Sequence, residues 1–283
     1  IAAIERAAGR TVGLDWVTGT TEIPYSTQES DVLGGGHGWS PNAYELPYYR
    51  RDSVQGFGVA EAWSLMYFAG ALDNRVPLAI IDRGFAVDED YADPATHAMD
   101  PSYLAFGEEE SSWHGYKTSS IAVAVPDNGF KIAGVAGVVA DPILIQRGES
   151  TDSDGIEALY QAHSMGARII SMSFLSVVLE EWAYLADIWD TATAAVADSG
   201  VLMFASAGNG GGNLDEAVAE RPALLGTRPC QSPGVVCVGG LEHDSVERHP
   251  DSVHGVPGGS VPIFGPYCVH TYPPVESGAQ FWS

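Results

Sequence analysis

Short apolar runs alternate with longer amphipathic segments along most of this sequence. Residues 153–166 and 181–199 carry apolar side chains at helical spacing. The first segment ends in Gly166 and the second is followed by Gly200, and glycine suits a helix C-terminus. The runs between them are brief, apolar and nearly uninterrupted, as expected for strands covered on both faces. They span residues 78–81, 143–145, 168–172, 201–205 and 235–238. The alternation predicts an α/β fold with three layers, in which helices cover both faces of a doubly wound, mostly parallel sheet.

The first part of the chain has a different character. Residues 1–55 contain a glycine triplet, several prolines and a Tyr-Tyr-Arg-Arg cluster, with little sustained periodicity. We interpret them as an N-terminal extension or wrapping arm, and residues 56–283 as one domain of ordinary size. The first residues have neither an initiator Met nor a signal-peptide pattern, so we expect a processed or trimmed start. No apolar stretch is long enough to predict a transmembrane helix.

Charge narrows the range of partners. The 283 residues include 37 acidic and 13 basic side chains, which gives a formal net charge of -24. Such a chain repels a phosphate backbone or an anionic membrane surface, so neither nucleic acid nor a membrane is an expected partner. The acidity is spread along the sequence, which is typical of a solvated acidic surface.

Three cysteines are too few for a disulfide scaffold. Cys230 and Cys237 flank the turn-forming sequence Gln-Ser-Pro-Gly, so they could form a bridge and leave Cys268 unpaired. Two buried free thiols are the alternative, and the sequence alone does not decide between them.

Polar residues with chemically reactive side chains follow two of the predicted strands and begin one predicted helix. In an open parallel sheet, the loops at the carboxyl ends of the strands converge on one crevice. Asp82 ends the strand at 78–81, Asn209 follows the strand at 201–205, and His114 begins a helix-like segment. An acid, an imidazole and an amide are the groups that activate an alcohol nucleophile and bind an oxyanion.

These positions carry a family resemblance. Residues 78–84, Leu-Ala-Ile-Ile-Asp-Arg-Gly, resemble the strand that ends in the catalytic Asp of subtilisin-like serine proteases, or subtilases. Residues 114–117, His-Gly-Tyr-Lys, resemble their His-Gly-Thr-His motif, and residues 205–210 resemble the segment with the oxyanion-hole asparagine. Further colinear similarities lie at residues 134–137, 171–174, 235–240 and 261–266. Five or more weak motifs in the family's order, over about residues 56–283, make the resemblance specific.

The resemblance implies a serine endopeptidase that acts on polypeptides. It assigns Asp82 to orienting His114, His114 to general acid and base catalysis, and Asn209 to oxyanion binding. It also implies that substrate binds as an extended strand beside a cleft segment. The substrate-binding residues carried over in this way are Ser171, Met172, Ser173, Phe174, Leu175 and Gly208.

The sequence departs from the family pattern at several points. Phe174, Leu175 and Ser176 stand where Leu-Gly-Gly is usual, and we expect Leu175 to narrow the cleft. Tyr116 and Lys117 replace Thr and His after the catalytic histidine.

The nucleophile is the largest departure, because the family's Gly-Thr-Ser motif is absent and Ser283 matches a position about three residues before it. We expect the motif to follow in the intact protein or to be supplied by a separate chain. Within the sequence, Ser252, Ser260 and Ser277 are interpreted as solvated loop hydroxyls.

Cofactor predictions are sparse. No His-Glu-x-x-His or comparable metal motif is present, and the glycine-rich residues 208–213 lack the pattern of a phosphate-binding loop. Residues 88–90, Asp-Glu-Asp, could bind a structural Ca2+, although a solvated acidic loop is the simpler interpretation. The family resemblance also implies secretion. A catalytically inactive pseudoprotease that acts as a peptide-binding or regulatory module is the alternative function, and the substitutions at Tyr116, Lys117 and Leu175 keep it open.

Overall fold

A computed structural model describes the fold at residues 59–85, 90–99, 114–126, 133–147, 151–242 and 245–267. Its nine strands are β1 (Val76–Asp82), β2 (Ala95–Ala98), β3 (Ala140–Gln146), β4 (Ile169–Met172), β5 (Ser176–Leu179), β6 (Leu202–Ser206), β7 (Leu224–Arg228), β8 (Val235–Leu241) and β9 (Ile263–Pro266). Its five α-helices are α1 (Val59–Phe68), α2 (His114–Val123), α3 (Asp152–Ser164), α4 (Ala183–Asp198) and α5 (Leu214–Glu220), and a 3₁₀ turn (Glu180–Trp182) precedes α4.

Seven of the strands form one parallel sheet in the order β2-β3-β1-β4-β6-β8-β9. The other two, β5 and β7, pair in antiparallel fashion as a separate ribbon. β1 lies near the middle of the large sheet, between β3 and β4. The predicted α/β fold with a mostly parallel sheet is therefore confirmed.

Alternate residues of β1 show that both faces of the sheet are covered. Ala79 and Ile81 belong to a core cluster with Leu159 of α3 and Trp189 of α4. Leu78 and Ile80 belong to a separate cluster with Tyr116 and Val123 of α2. Because side chains alternate between the two faces along a strand, α2 covers one face and α3 and α4 cover the other. This arrangement gives the three predicted layers.

Glycine ends both predicted central helices. The residues after α3 and α4 include Gly166 at φ 87° and Gly200 at φ 88°, backbone conformations that glycine adopts without strain. At the other end of α3, the Thr151 side chain accepts a hydrogen bond from the Asp154 N–H at 3.2 Å. The predicted helix at 181–199 is confirmed, but its first residues form the 3₁₀ turn.

Helix α2 is fixed at its C-terminal end by residues 134–137. The Gly134 N–H donates to the Ala124 carbonyl oxygen, and the Val135 N–H donates to that of Ile121, each at 2.9 Å. A Cβ on Gly134 or Gly137 would collide with the backbone of Ala124. These two glycines therefore permit the close approach that fixes α2, whose first residue is His114.

Cys230, just after β7, and Cys237, on β8, form a disulfide, whereas Cys268 lies outside the described residues. The interpretation of residues 1–55 as an extension also concerns residues outside the described part and stays a prediction. Among the helices that the structure describes, none is long and apolar enough to cross a membrane.

Candidate active site

The carboxyl ends of three neighbouring strands bring the predicted residues to one edge of the sheet. Ile81 of β1 aligns with Met172 of β4, which in turn aligns with Ala205 of β6. The residues that follow these positions therefore leave the sheet at the same level, with neighbouring strands about 4.8 Å apart. Asp82 ends β1, residues 173–176 follow β4, and the loop with Gly208 and Asn209 follows β6.

Asp82 and His114 are in direct contact. The His114 Nδ1 atom lies 2.8 Å from Asp82 Oδ1 and 2.9 Å from Asp82 Oδ2, while the aspartate itself is only 5% exposed. Two backbone hydrogen bonds fix the start of α2 above the end of β1. The Gly115 N–H donates to the Arg83 carbonyl at 2.6 Å, and the Tyr116 N–H donates to that of Gly84 at 2.9 Å. They satisfy N–H groups that a helix N-terminus leaves unpaired.

The Asp82 carboxylate has two further donors. The Thr118 hydroxyl donates to Oδ2 at 2.9 Å, and the Arg83 backbone N–H donates to Oδ1 at 2.7 Å. A buried carboxylate is costly unless its oxygens accept hydrogen bonds, and these donors supply them. Together they also hold the carboxylate plane toward the imidazole.

The aspartate changes the acidity of the histidine. The hydrogen bond that His114 donates to Asp82 raises the pKa of His114 above its ordinary value of 6.5, and this effect outweighs the burial that lowers it. Because Nδ1 faces Asp82, the other ring nitrogen, Nε2, is the one that can exchange a proton with a reacting group. Within the described residues, the His114 ring makes no hydrogen bond besides those to Asp82.

A cleft of about 290 Å³ opens beside this pair. Asp82 and His114 line it together with Arg83, Arg147 and residues 173–176. Ser173, Phe174 and Leu175 of the predicted substrate segment therefore face the cleft. Ser171 and Met172 do not line it.

For Met172 the reason is burial, since its side chain is 1% exposed and lies in the core cluster beneath the sheet. The Met172 side chain therefore cannot contact a substrate in the cleft, which corrects the prediction for this side chain. Alternation along β4 directs this residue into the core and leaves the cleft to residues 173–176.

Leu175 lies against the loop that carries the candidate oxyanion donor. Its Cδ2 atom lies 2.5 Å from the point where a Cβ on Gly208 would stand. A Cβ at position 208 would require the Leu175 side chain to move, and the φ of 107° at this position favours glycine. The leucine thus occupies space between residues 173–176 and the β6 loop, as the predicted narrowing of the cleft requires.

The loop around Asn209 is fixed by a second segment, residues 251–254. The Val253 N–H donates to the Gly208 carbonyl at 2.9 Å, and the Gly211 N–H donates to that of Asp251 at 2.7 Å. The His254 N–H donates to the Gly212 carbonyl at 3.1 Å. Asn209 itself is exposed. The structure thus places it on a braced loop at the active edge of the sheet.

The serines in this region have structural contacts, so their interpretation as solvated hydroxyls is wrong for two of them. Ser252 is 1% exposed, and its hydroxyl accepts a hydrogen bond from the Gly240 N–H at 2.7 Å. The Ser260 hydroxyl donates to Asp215 Oδ1 at 2.5 Å, a contact that helps to lower the pKa of Asp215 against the opposing effect of its burial. Sequence alone did not show these partners because they lie 12 and 45 residues away. Ser277 lies outside the described residues.

Sequence analysis missed three residues that shape the site. Thr118 lies one helical turn after His114, a spacing that could have revealed it. Gln146 ends β3 opposite Asp82, and its Oε1 atom accepts hydrogen bonds from the N–H groups of Gly84 and Phe85. Arg147 follows it and lies 3.7 Å above the centre of the Phe174 ring. No motif marks the last two residues, because only the register of β3 against β1 brings them to the site.

The predicted calcium segment is only partly described. Asp90 is fully buried, so it does not belong to a solvated loop, while Asp88 and Glu89 lie outside the described residues. Among the residues that the structure covers, no cluster of three or more His, Cys, Asp or Glu side chains could hold a metal ion. Calcium binding stays a prediction.

Comparison with known proteins agrees with this geometry. The model of the subtilase family, Peptidase_S8, matches residues 62–267. The chain belongs to the subtilase family. No curated protein matches the sequence at a significant level.

Solved structures share the fold of this subtilase. A lanthipeptide protease has a TM-score of 0.56 at 17% identity, and the match covers 75% of this chain and 61% of that one. The prenylagaramide maturation protease PagA has a TM-score of 0.56 at 19% identity, covering 80% and 73%. The nisin leader peptidase NisP from Lactococcus lactis has a TM-score of 0.56 at 13% identity, covering 74% and 72%. The chain thus spans less than two thirds of the length of the lanthipeptide protease.

The contact between Asp82 and His114 predicts a raised pKa of the His114 imidazole, which can be measured. The His114 imidazole should titrate above 6.5 in NMR spectra, and Asp82→Asn should lower that pKa by removing the charge that favours imidazolium. Since the folded-state pKa is raised, the contribution of the pair to stability is complete below pH 6.5 and is lost as pH rises through the folded-state value. Thr118→Val removes a donor but keeps the carboxylate charge, so it should leave the pKa above 6.5. Unchanged titration in Asp82→Asn would contradict this account.

Leu175 should restrict which side chains the cleft accepts. Leu175→Gly removes the side chain that packs on Gly208, so the intact protein should bind peptides with a large side chain at least about tenfold more tightly relative to matched alanine peptides. The control is Val177→Gly, an exposed position two residues further along that does not line the cleft. Equal ratios in the wild type and in Leu175→Gly would show that Leu175 does not limit access.

Proposed function

We propose that this subtilase is a serine endopeptidase that hydrolyses peptide bonds of polypeptides through an acyl-enzyme. The observation that carries the proposal is the contact of His114 Nδ1 with the buried Asp82 carboxylate at 2.8 Å. This contact fixes the tautomer that leaves Nε2 able to accept a proton. The disulfide between Cys230 and Cys237 supports an extracytoplasmic location, because disulfides persist in oxidising compartments.

In the proposed mechanism, His114 Nε2 takes the proton of a serine hydroxyl as its oxygen attacks the peptide carbonyl carbon. Asp82 stabilises the imidazolium that results, and the Asn209 amide donates to the carbonyl oxygen as it becomes negative. Collapse of this intermediate breaks the C–N bond, and His114 gives its proton to the departing amine. Water then attacks the acyl carbon while His114 takes one of its protons. Collapse breaks the bond to the serine oxygen, which receives that proton from His114, and releases the carboxylic acid product.

The serine is a separate part of the proposal. The sequence contains no Gly-Thr-Ser motif, and we propose that the nucleophile lies in residues that follow Ser283 in the intact protein or in a second chain. The resemblance of residues 261–266 to the family's approach to its nucleophile supports this order along the chain.

A pseudoprotease that only binds peptides is the second candidate function. The position of Leu175 favours it, since this side chain occupies space beside Gly208 that the family usually leaves open. Such a protein would bind polypeptides without cleaving them. Turnover by the intact protein therefore separates the two functions.

Peptide hydrolysis by the intact protein should depend strongly on Asp82. Asp82→Asn should lower kcat by about 10⁴, as loss of the orienting acid does in other enzymes with this triad. Asp187→Asn, at an exposed aspartate on α4, removes the same charge away from the cleft and should leave kcat unchanged. Binding of peptides without hydrolysis, in correctly folded wild-type protein, would support the pseudoprotease instead.

Asn209 should affect the rate of peptide hydrolysis and not the binding of the peptide. Asn209→Ala should lower kcat by about 10² to 10³ with little change in KM, because the amide contacts the oxyanion only as it forms. Asn213→Ala is the control from the same loop. It removes the cap that accepts hydrogen bonds from Asp215 and Glu216, so it should lower the free energy of unfolding by about 1 kcal/mol and leave kcat nearly unchanged. A purely KM effect for Asn209→Ala would count against the oxyanion role.

A further inference from the structure

Arg147 is a buried cation that forms no salt bridge among the described residues, although Asp82, Asp154 and Asp152 attract its charge from a greater distance. It is 6% exposed, and its buried Nε atom has no hydrogen-bond partner in the described part of the chain. Arg228, also buried at 8%, shows the contrast, since its guanidinium donates to both oxygens of Asp190 at 2.7 and 3.1 Å. A buried charge without such a partner is costly, and burial accordingly lowers the pKa of Arg147. An arginine nevertheless stays protonated in proteins.

The position of this charge is fixed beside the proposed catalytic pair. The Arg147 backbone N–H donates to the Asp82 carbonyl oxygen at 2.8 Å, and its side chain lines the same cleft as His114 and Ser173. The guanidinium stacks on Phe174, whose ring packs in turn against Trp189 at 6.3 Å between centroids. Stacking of this kind orients the guanidinium and leaves its edge able to donate hydrogen bonds.

Among the residues that line the cleft, positively charged side chains outnumber negatively charged ones. Asp82 is its one carboxylate among the described lining residues, and it is engaged by His114, Thr118 and the Arg83 N–H. Arg83, with an exposed side chain, lines the cleft together with Arg147. Two arginines in one cleft are unusual for a chain with 13 basic and 37 acidic residues.

We propose that Arg147 is a specificity-determining residue that binds the carboxylate of an aspartate or glutamate next to the bond that His114 acts on. The inference rests on the proposed peptidase function and narrows its substrate class to polypeptides with an acidic residue near the cleaved bond. A planar guanidinium pairs with a carboxylate through two parallel hydrogen bonds, which favours this ligand over a neutral amide. Arg83 lies more exposed, so solvent screens its contribution.

The test uses the intact protein and a mixture of peptides, with cleavage sites identified by mass spectrometry. Sites should be enriched in Asp or Glu at one position within two residues of the cleaved bond. For that position, a Glu peptide should have a kcat/KM about 10- to 100-fold above that of its Gln counterpart, the range for hydrogen bonds to a charged group. A peptide C-terminus is the other source of a carboxylate. A peptide with no acidic side chain, whose free C-terminal carboxylate lies at that position, tests this source.

Three variants separate recognition from folding. Arg147→Gln should abolish the preference for Glu over Gln, Arg147→Lys should retain part of it, and Arg147→Glu should reverse it toward Lys. Arg221→Gln removes the same charge at an exposed position after α5 and should keep the preference intact. Circular dichroism and thermal unfolding compare the folding of Arg147→Gln with that of the wild type, and the Glu preference that Arg147→Lys retains provides a second readout.

Each outcome decides the inference. Hydrolysis with no acidic preference, or with a preference that survives in Arg147→Gln, overturns it while the peptidase function stands. If the intact protein cleaves no peptide, the peptidase function fails, and titration of the Glu and Gln peptides by calorimetry then decides. Tighter binding of the Glu peptide that Arg147→Gln abolishes supports the inference, and equal binding overturns it.

Discussion

The buried carboxylate of Asp82 is the constraint around which the site is organised. It ends the central strand β1, is only 5% exposed, and therefore requires donors from its surroundings. The donors come from His114 and Thr118 on α2 and from the backbone at Arg83. Each of these groups is also fixed by the fold, because the first N–H groups of α2 bond to the loop after β1. Satisfying one charge thus places an imidazole at the edge of the sheet with one ring nitrogen free for chemistry.

The parallel sheet supplies the rest of the arrangement. Because β1, β4 and β6 are neighbours in the sheet, the Asp82 carboxylate, residues 173–176 and the loop with Asn209 lie side by side at one edge of it. The braces are hydrogen bonds between backbone groups, as between Gly208 and Val253, and glycine at position 208 permits the loop conformation. Such rigidity suits an oxyanion donor, which stabilises charge best when it does not have to reorganise.

Sequence patterns predicted the sheet because a buried strand has a continuous apolar run. The pairing of Asp82 with His114, 32 residues apart, came from the family resemblance. Sequence patterns did not predict contacts between residues that are distant in the sequence, or strands that are only partly buried. Strands β2 and β9 are four residues long, lie at the outer edges of the sheet and lack a continuous apolar run, so no run marked them. Arg147 has no motif, and only the pairing of β3 with β1 brings it to the cleft.

The most direct test of the account is to find which serine His114 activates. The intact protein would be treated with a fluorophosphonate, digested and mapped by mass spectrometry, alongside His114→Ala. The account predicts one modified serine whose labelling is lost in His114→Ala. Equal labelling of the wild type and the His114→Ala variant would contradict the claim that His114 is the base that activates the nucleophile.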